Sequence, residues 1–284
     1  MFLRRLIAYA ELMRLHRPIG IFLLLWPTVS GLWIATAGRP SLGLLLIFIA
    51  GVVIMRSAGC IINDIADRNF DGFVTRTKDR PLATGSVTLT EAFLLFIGLL
   101  VIAFLLVLML NLKTIKLAIV ALMLAILYPF CKRFTYLPQL VLGMAWYIGV
   151  LMTFTATNHF FIPSDAWLLY LSTIIWTTAY DTMYALADRE DDIKIGIKSM
   201  AVLMGSLDRP IIAGLQLLTW LCWLMLGVMN DFSTYYFLAL IVILSMFGYQ
   251  QILIYNRKPI LCVAAFLHNN WVGAVLFIGI ATSI

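Results

Sequence analysis

Charged residues are scarce in this sequence. Only 12% of its 284 residues are charged and 63% are hydrophobic, whereas a soluble domain is about 25% charged and about half apolar. The composition excludes an ordinary water-soluble domain and indicates an integral membrane protein. Because a charge at membrane depth costs several kcal/mol, each ionisable group inside an apolar stretch is a candidate functional residue.

Three other features are missing. The four cysteines, Cys60, Cys131, Cys222 and Cys262, form no CxxC pair and have no histidine suited to complete a zinc site, so we interpret them as reduced packing residues.

The net charge of +6 is not gathered into a basic patch with interleaved aromatics, and we expect no nucleic-acid partner. The N-terminus lacks a small-residue cleavage site, and we expect no removable signal peptide.

Long apolar stretches fill most of the chain. A helix needs about 20 residues at a rise of roughly 1.5 Å to cross a bilayer, and nine stretches approach that length. They cover residues 19–37, 42–62, 91–110, 115–130, 137–156, 166–187, 211–229, 234–255 and 261–284. We therefore predict an all-α membrane protein with nine transmembrane helices, built as one transmembrane domain over residues 1–284.

Lysine and arginine are unequally divided between the two sides of such a bundle. Sixteen of the 20 fall on the side of the N-terminus and three on the opposite side, while Arg56 lies within a span. Basic residues concentrate in cytoplasmic loops. We therefore predict a cytoplasmic N-terminus and an external C-terminus.

Two of the cytoplasmic loops are longer than a simple reversal needs, and both begin with acidic clusters. They cover residues 63–90 and 188–210, and each runs through basic residues to a Gly-Ser pair. Spans one to four and five to eight thus form a possible diverged repeat. Such a repeat would put the two clusters at related positions in the bundle.

Helical spacing gathers polar residues of each cluster into a stripe, because residues four or seven positions apart share one helix face. The first stripe, on a helix that would continue past the membrane edge, consists of Asn63, Asp67 and Asp71. The second stripe consists of Asp181, Asp188 and Asp192. Single charges are common at the ends of spans but two matched stripes are not, so we favour a functional site over ordinary interfacial charges.

Two oxygen-rich stripes at one membrane face suit divalent cations. Mg²⁺ takes one or two protein carboxylates together with phosphate oxygens of a substrate, and a diphosphate bridging the stripes is the natural ligand. A diphosphate leaves an allylic carbon only if its developing negative charge is stabilised, which Mg²⁺ with Arg and Lys donors achieves without proton transfer. The pattern therefore indicates a Mg²⁺-dependent reaction of a diphosphate.

The order of the two clusters also resembles a known family. NDxxDxxxD at residues 63–71, followed by DxxYAxxDxxxD at residues 181–192, is similar to the paired signature of the UbiA superfamily of intramembrane prenyltransferases. The likeness extends through the segments RPIGIFLLLWPT, MRSAGCIINDIADRNFDG, YPFCKRFTYLPQLVLG and DREDDIKIGIKS. In that detail it resembles the bacterial branch that prenylates 4-hydroxybenzoate in ubiquinone biosynthesis.

The resemblance implies a fold, a reaction and a set of site residues. We expect a helical bundle around a central cavity open to membrane lipid, in a bacterial cell inner membrane. It would transfer a polyprenyl group from polyprenyl diphosphate to the ring carbon ortho to the hydroxyl of 4-hydroxybenzoate, with Mg²⁺ as cofactor. The expected metal ligands are Asn63, Asp67, Asp188 and Asp192. The expected catalytic residues are Asp67, Asp71, Asp188, Asp192 and Arg133. The expected substrate-binding residues are Arg56, Arg76, Lys132, Tyr184, Asp181 and Lys198.

Some of these assignments have a structural alternative. Arg56 lies two turns deeper than Asn63, about 10 Å along the helix axis. There it either holds the carboxylate of an aromatic acid, or it pairs with a motif aspartate or snorkels toward the membrane surface. Tyr184 is either a hydroxyl near the diphosphate or a packing aromatic. Lys132 and Arg133 are either diphosphate contacts or ordinary cytoplasmic charges.

Two other functions compete with prenyl transfer to 4-hydroxybenzoate. An ion-coupled transporter also carries acids in a helical bundle, but its signature is polar residues or broken helices at the midplane. Here the acids gather at one membrane face beside basic loops. The second rival is a prenyltransferase for another acceptor, such as a naphthoate, haem or a sugar phosphate, and the resemblance alone favours the hydroxybenzoate branch.

Overall fold

The computed structural model describes residues 2–69, 71–73, 76–157 and 161–284, with the backbone alone described for Phe2. Within these residues the chain forms eleven α-helices and two 3₁₀ turns, and it contains no strand. The helices are α1 Phe2–Leu12, α2 Ile19–Ala35, α3 Leu42–Asp67, α4 Leu89–Val107, α5 Leu112–Cys131, α6 Pro138–Ala156, α7 Ser164–Ile195, α8 Met200–Met204, α9 Asp208–Met229, α10 Thr234–Leu253 and α11 Pro259–Ala281. The 3₁₀ turns are Asp71–Phe73 and Gly205–Leu207.

Helices cover most of each predicted span, but the correspondence is not complete. The short helices α1 and α8 were not predicted. Helix α7 continues to Ile195, whereas the predicted sixth span ends at residue 187. In the described part of the chain, seven helices are long and apolar enough to cross a membrane, and α2, with 17 residues, is shorter than these. This finding indicates a multi-pass membrane protein, while the number of nine crossings stays a prediction.

Polar residues fix the ends of several helices. Thr88 and Glu91 form a reciprocal capping box at the start of α4, with Thr88 N donating to Glu91 Oε2 at 2.9 Å and Glu91 N donating to Thr88 Oγ1 at 3.2 Å. Asn111 Oδ1 accepts from Thr114 N at 3.1 Å at the start of α5. Helix α7 ends at Gly196, whose φ of +73° favours glycine. The starts of α4 and α5 thus lie within three residues of the predicted starts, whereas α7 ends eight residues beyond its predicted end.

The packed core lies among α2, α6, α7, α9, α10 and α11. The indoles of Trp176 and Trp223 are fully buried, and each N–H has a partner: Trp176 donates to Asn269 at 2.8 Å and Trp223 donates to Ser172 at 3.0 Å. Inside a bilayer these bonds matter because an unpaired buried donor is costly. Both buried indole donors are therefore satisfied within the core.

Helices α4 and α5 stand outside this core. Helix α4 packs on α3, α5 packs on α6, and the two pack only sparsely on each other. Large apolar side chains of α4 point outward, including Leu94, Val101 and Leu105, each more than half exposed. Such a surface suits lipid. The sparse contact between α4 and α5 leaves space on this side of the molecule.

Candidate active site

A cavity of about 990 Å³ occupies that space, lined by residues of α2 to α7 and α11. At one end its lining is polar and includes Arg56, Asn63, Arg76, Asp181 and Tyr184. Most of the remaining lining consists of apolar residues of α3, α4, α5 and α6. The cavity thus joins a charged end to an apolar interior.

The Asp67 carboxylate lies at the end of α3. Asn63 Nδ2 donates to Asp67 Oδ2 at 3.2 Å, and Lys132 Nζ forms an ion pair with the same oxygen. Asp67 Oδ1 is buried and has no hydrogen-bond partner among the described residues. Because a buried acceptor without a partner costs free energy, a cation bound at this atom would be stabilised.

Asp188 on α7 is held by Arg76, which lies in the loop between α3 and α4. Arg76 Nε donates to Asp188 Oδ1 at 2.9 Å while Nη2 contacts Oδ2, so the pair is two-pronged. Arg76 also contacts the Tyr184 hydroxyl, with its guanidinium 4.3 Å from the centroid of the Tyr184 ring. Burial alone would lower the pKa of Arg76, but the hydrogen bond to Asp188 and the nearby Tyr184 outweigh it, and the pKa is raised above its ordinary value. Arg76 therefore stays charged.

Asp71 does not lie on the helix that was predicted to carry it. Helix α3 ends at Asp67, and Asp71 begins a separate 3₁₀ turn, so the expected stripe of three residues on one helix is wrong for Asp71. Arg80 Nη1 lies 3.0 Å from both Asp71 oxygens and 3.0 Å from Asp64 Oδ1. Thr77 Oγ1 donates to the Asp71 carbonyl at 2.9 Å. These bonds fold the chain back toward α3, which is why the helix does not continue.

Asp64 is the centre of a buried ionic cluster that the sequence did not reveal. Its side chain is 1% exposed, and Arg14 Nη2 donates to its two oxygens at 3.0 and 2.9 Å. Burial would lower the pKa of Arg80, but the carboxylates of Asp64 and Asp71 raise it. Arg14 and Arg80 both line the polar end of the cavity. The cluster therefore holds the segment after α1 and the loop after α3 over that end.

Comparison with known proteins identifies the family. The model of the UbiA prenyltransferase family matches residues 24–273. The chain belongs to the UbiA prenyltransferase family. It is 54% identical to the 4-hydroxybenzoate octaprenyltransferase of Saccharophagus degradans over 97% of this chain and 92% of that protein, and 54% identical to the enzyme of the same name from Psychromonas ingrahamii over 96% and 95%.

Solved structures show the same UbiA fold. The apo structure of a UbiA homolog from Aeropyrum pernix K1 has a TM-score of 0.81 at 24% identity and covers 93% of this chain and 97% of that one. A UbiA homolog from Archaeoglobus fulgidus bound to GPP and Mg²⁺ has a TM-score of 0.73 at 18% identity and covers 96% and 99%. The helical bundle is therefore that of the UbiA family.

In this UbiA family member the remaining loop residues have distinct surroundings. Asp192 is buried and hydrogen-bonds Ser199. Arg133 Nη2 donates to the carbonyl of Ala66 at 2.8 Å, in the last turn of α3. Lys198 Nζ instead donates to the carbonyl of Phe134 at 3.4 Å. The described side-chain contacts of Lys198 thus lie in the loop between α5 and α6. From the sequence, Lys198 was expected to bind substrate, but none of these contacts is with the acidic clusters.

Arg56 lies in the cavity of the UbiA bundle, and no carboxylate of the described residues is within ion-pair distance. Its Nη1 is 3.0 Å from Cys60 Sγ, and its guanidinium is 4.6 Å from the centroid of the Trp146 ring. Arg56 thus forms no direct ion pair with a motif aspartate among the described residues, although Asp181 is near enough to interact with its charge. A Cβ built on Gly20 would overlap the Arg56 guanidinium. Gly20 makes room for Arg56, a role that the sequence did not indicate.

Aromatic residues of the UbiA cavity were also missed. Tyr128, Trp146 and Tyr180 line it. Tyr128 begins the segment YPFCKRFTYLPQLVLG and could have been found there, but nothing distinguished Trp146 or Tyr180 in a chain with 13% aromatic residues. Their placement depends on how the helices pack.

Proposed function

We propose that this chain transfers a polyprenyl group from its diphosphate to the ring carbon ortho to the hydroxyl of 4-hydroxybenzoate, a step of ubiquinone biosynthesis at the bacterial inner membrane. The observation that carries the proposal is the cavity, which joins a charged end to an apolar interior. The 54% identity to relatives named 4-hydroxybenzoate octaprenyltransferase supports the acceptor and makes octaprenyl diphosphate the first donor to test.

The diphosphate binds at the charged end, which in this proposal faces the cytoplasm. Arg76 pairs with Asp188, Lys132 pairs with Asp67, and Arg133 reaches the last turn of α3. Guanidinium and ammonium groups are strong donors to phosphate oxygens. The three cations therefore bind the diphosphate and stabilise the negative charge that it gains on leaving. Tyr184, in contact with Arg76, orients that guanidinium.

Residues at and directly beside this end fit Mg²⁺: Asn63 lines the cavity, Asp67 contacts Asn63, and Asp188 contacts Arg76, which also lines it. We propose Asn63, Asp67, Asp188 and Asp192 as its ligands, supported by the buried, unpartnered Oδ1 of Asp67 and by the preference of Mg²⁺ for carboxylate and amide oxygens. No group of three or more Asp, Glu, His or Cys side chains among the described residues is arranged to hold a metal ion. Phosphate oxygens of the substrate would complete the coordination. When bound, Mg²⁺ supplies further stabilisation of the departing diphosphate.

Arg56 binds the carboxylate of the aromatic acid. It is a cation within the cavity that forms no direct ion pair among the described residues, and an anionic ligand would supply one beside the nearby charge of Asp181. A guanidinium binds a carboxylate through two parallel hydrogen bonds. Trp146, which contacts Arg56, offers a flat surface for the ring.

The reaction breaks the allylic C–O bond, and the electron pair leaves with the diphosphate. A new C–C bond forms between the allylic carbon and the ring carbon, after which the ring proton passes to a base. Of the five aspartates predicted for the site, Asp181 alone lines the cavity, and we propose it as that base. The apolar walls keep water from the cationic allylic carbon.

The decisive experiment incubates purified protein with Mg²⁺, octaprenyl diphosphate and a panel of acceptors that includes 4-hydroxybenzoate, a hydroxynaphthoate and haem. Mass spectrometry should detect octaprenyl-4-hydroxybenzoate alone. A product on another acceptor would overturn the assigned substrate. Asp67→Ala and Asp188→Ala should abolish transfer in protein that retains its helical circular dichroism, whereas full activity of either variant would overturn the assigned site. The exposed Glu190 supplies the control Glu190→Gln, which should transfer normally.

A further inference from the structure

One wall of the cavity is formed by α3. Ile47, Gly51, Met55, Gly59 and Asn63 are spaced four residues apart, and all five line the cavity. They span about 24 Å along the helix axis at roughly 1.5 Å per residue. A molecule whose diphosphate is held beside Asn63 would therefore lay its apolar tail along this wall.

Gly51 leaves an open gap in that wall. A Cβ built on Gly51 would have no heavy atom within 4 Å. The glycines at helix contacts differ: a Cβ on Gly31 would lie 2.9 Å from Thr153 Oγ1, and one on Gly143 would lie 3.1 Å from the Ile174 backbone. Helix packing thus explains Gly31 and Gly143 but not Gly51, whose missing side chain adds volume to the cavity.

The gap lies far from the charged end. Gly51 is three helical turns beyond Asn63, about 18 Å along the axis. The cavity is also lined by Leu106 and Val107 at the end of α4 and by Ile115 in the first turn of α5. Because α4 and α5 pack sparsely on each other, a tail that reaches this level can continue between them. A dimethylallyl or geranyl tail is too short to reach it.

We infer that Gly51 is a specificity-determining residue that admits long polyprenyl donors. Its missing side chain lets the distal prenyl units pass along α3, so that the accepted tail length depends on the size of the residue at this position. The inference rests on the proposed prenyl transfer. It concerns the donor tail and leaves the chemistry at the diphosphate end unchanged.

The test compares Gly51→Ala and Gly51→Leu with Gly43→Leu. Gly43 is the matched control because it lies on the same helix, a Cβ there would also meet no atom within 4 Å, and it does not line the cavity. Initial rates are measured with geranyl, farnesyl and octaprenyl diphosphates and 4-hydroxybenzoate. Gly51→Leu should lower kcat/KM for the octaprenyl donor relative to the geranyl donor by about tenfold or more. A change of one apolar side chain in a pocket commonly alters the ratio of kcat/KM values of two substrates by this much. Gly51→Ala should have a smaller effect in the same direction, and Gly43→Leu none.

An unchanged octaprenyl-to-geranyl ratio in folded Gly51→Leu, or an equal fall for all donors, would overturn the inference. If Gly51→Leu does not fold, Gly51→Cys can be purified and then treated with methanethiosulfonates of increasing size, beside identically treated wild type. Loss of octaprenyl transfer should then grow with the size of the reagent, and a flat response would count against Gly51. Absence of transfer by wild type with every donor would instead refute the proposed function itself.

Discussion

Arg76 and Asp188, which are 112 residues apart in the chain, form a two-pronged ion pair at the charged end of the cavity. The pair fastens the loop after α3 to α7, and so joins the two acidic segments of the sequence. Lys132, directly after α5, forms an ion pair with Asp67 and so joins the end of α5 to the end of α3. Each of these two carboxylates is thus balanced by a cation from a loop, which makes its burial in a mostly apolar protein tolerable.

Replacing Arg76 should separate the effect of its positive charge from the effect of its two parallel hydrogen-bond donors. Lysine keeps the charge but cannot bind Asp188 or a phosphate with two parallel donors. We expect Arg76→Lys to raise KM for the prenyl diphosphate by about tenfold or more, because a charged hydrogen bond contributes roughly 1.5–3 kcal/mol. Arg76→Ala should raise the same KM further. Steady-state kinetics in detergent would measure both constants. Equal KM values for wild type and Arg76→Lys would contradict the role in diphosphate binding.

Adding a methyl group at Gly20 should displace Arg56. A Cβ there would overlap the guanidinium, so Gly20→Ala should raise KM for the aromatic acid by about tenfold, the scale of one misplaced charged contact. KM for the prenyl diphosphate should change little. The control is Gly98→Ala on α4, where a Cβ would meet no atom within 4 Å. If Gly20→Ala raised both KM values equally, Gly20 would have a general packing role instead.

Removing the charge of Asp64 should destabilise the protein. Asp64→Asn leaves Arg14 without its carboxylate partner and Arg80 with Asp71 alone. Breaking a buried ionic cluster in this way costs about 3 kcal/mol. Thermal unfolding followed by circular dichroism in detergent should show a lower Tm than that of wild type and of the exposed control Glu190→Gln. A Tm equal to that of the control would mean that the cluster contributes little to stability.

Chelation of divalent metal should abolish transfer without unfolding the protein. Among the described residues, Lys132 pairs with Asp67 and Arg76 pairs with Asp188, so protein cations can balance these two carboxylates and support the fold, whereas Mg²⁺ would serve the departing diphosphate. We therefore expect EDTA to remove activity, Mg²⁺ to restore it, and the Tm to stay constant throughout. A marked fall in Tm with EDTA would show that a metal is part of the folded structure.

Several helix bounds could be read from the sequence because they depend on local signals. A helix satisfies its own backbone hydrogen bonds, so apolar stretches of sufficient length fold as helices in lipid, and caps such as Thr88 with Glu91 mark their ends. Helix α1 escaped prediction because it is amphipathic and short, with Leu3 and Leu6 exposed while Ala8 and Leu12 are buried. The end of α3 was misplaced because Arg80, more than ten positions away, decides it.

The sequence by itself determined the membrane character and the long helices, since these follow from composition and from the length of the apolar stretches, and it predicted the carboxylates for a metal-bound diphosphate. Tertiary structure alone decided which cation meets which carboxylate, as in Arg14 with Asp64 and Arg76 with Asp188, and where the cavity runs beside α3. Helical periodicity fixes the neighbours of a side chain on its own helix. Contacts between helices depend instead on how whole surfaces pack, and no spacing in the sequence records that.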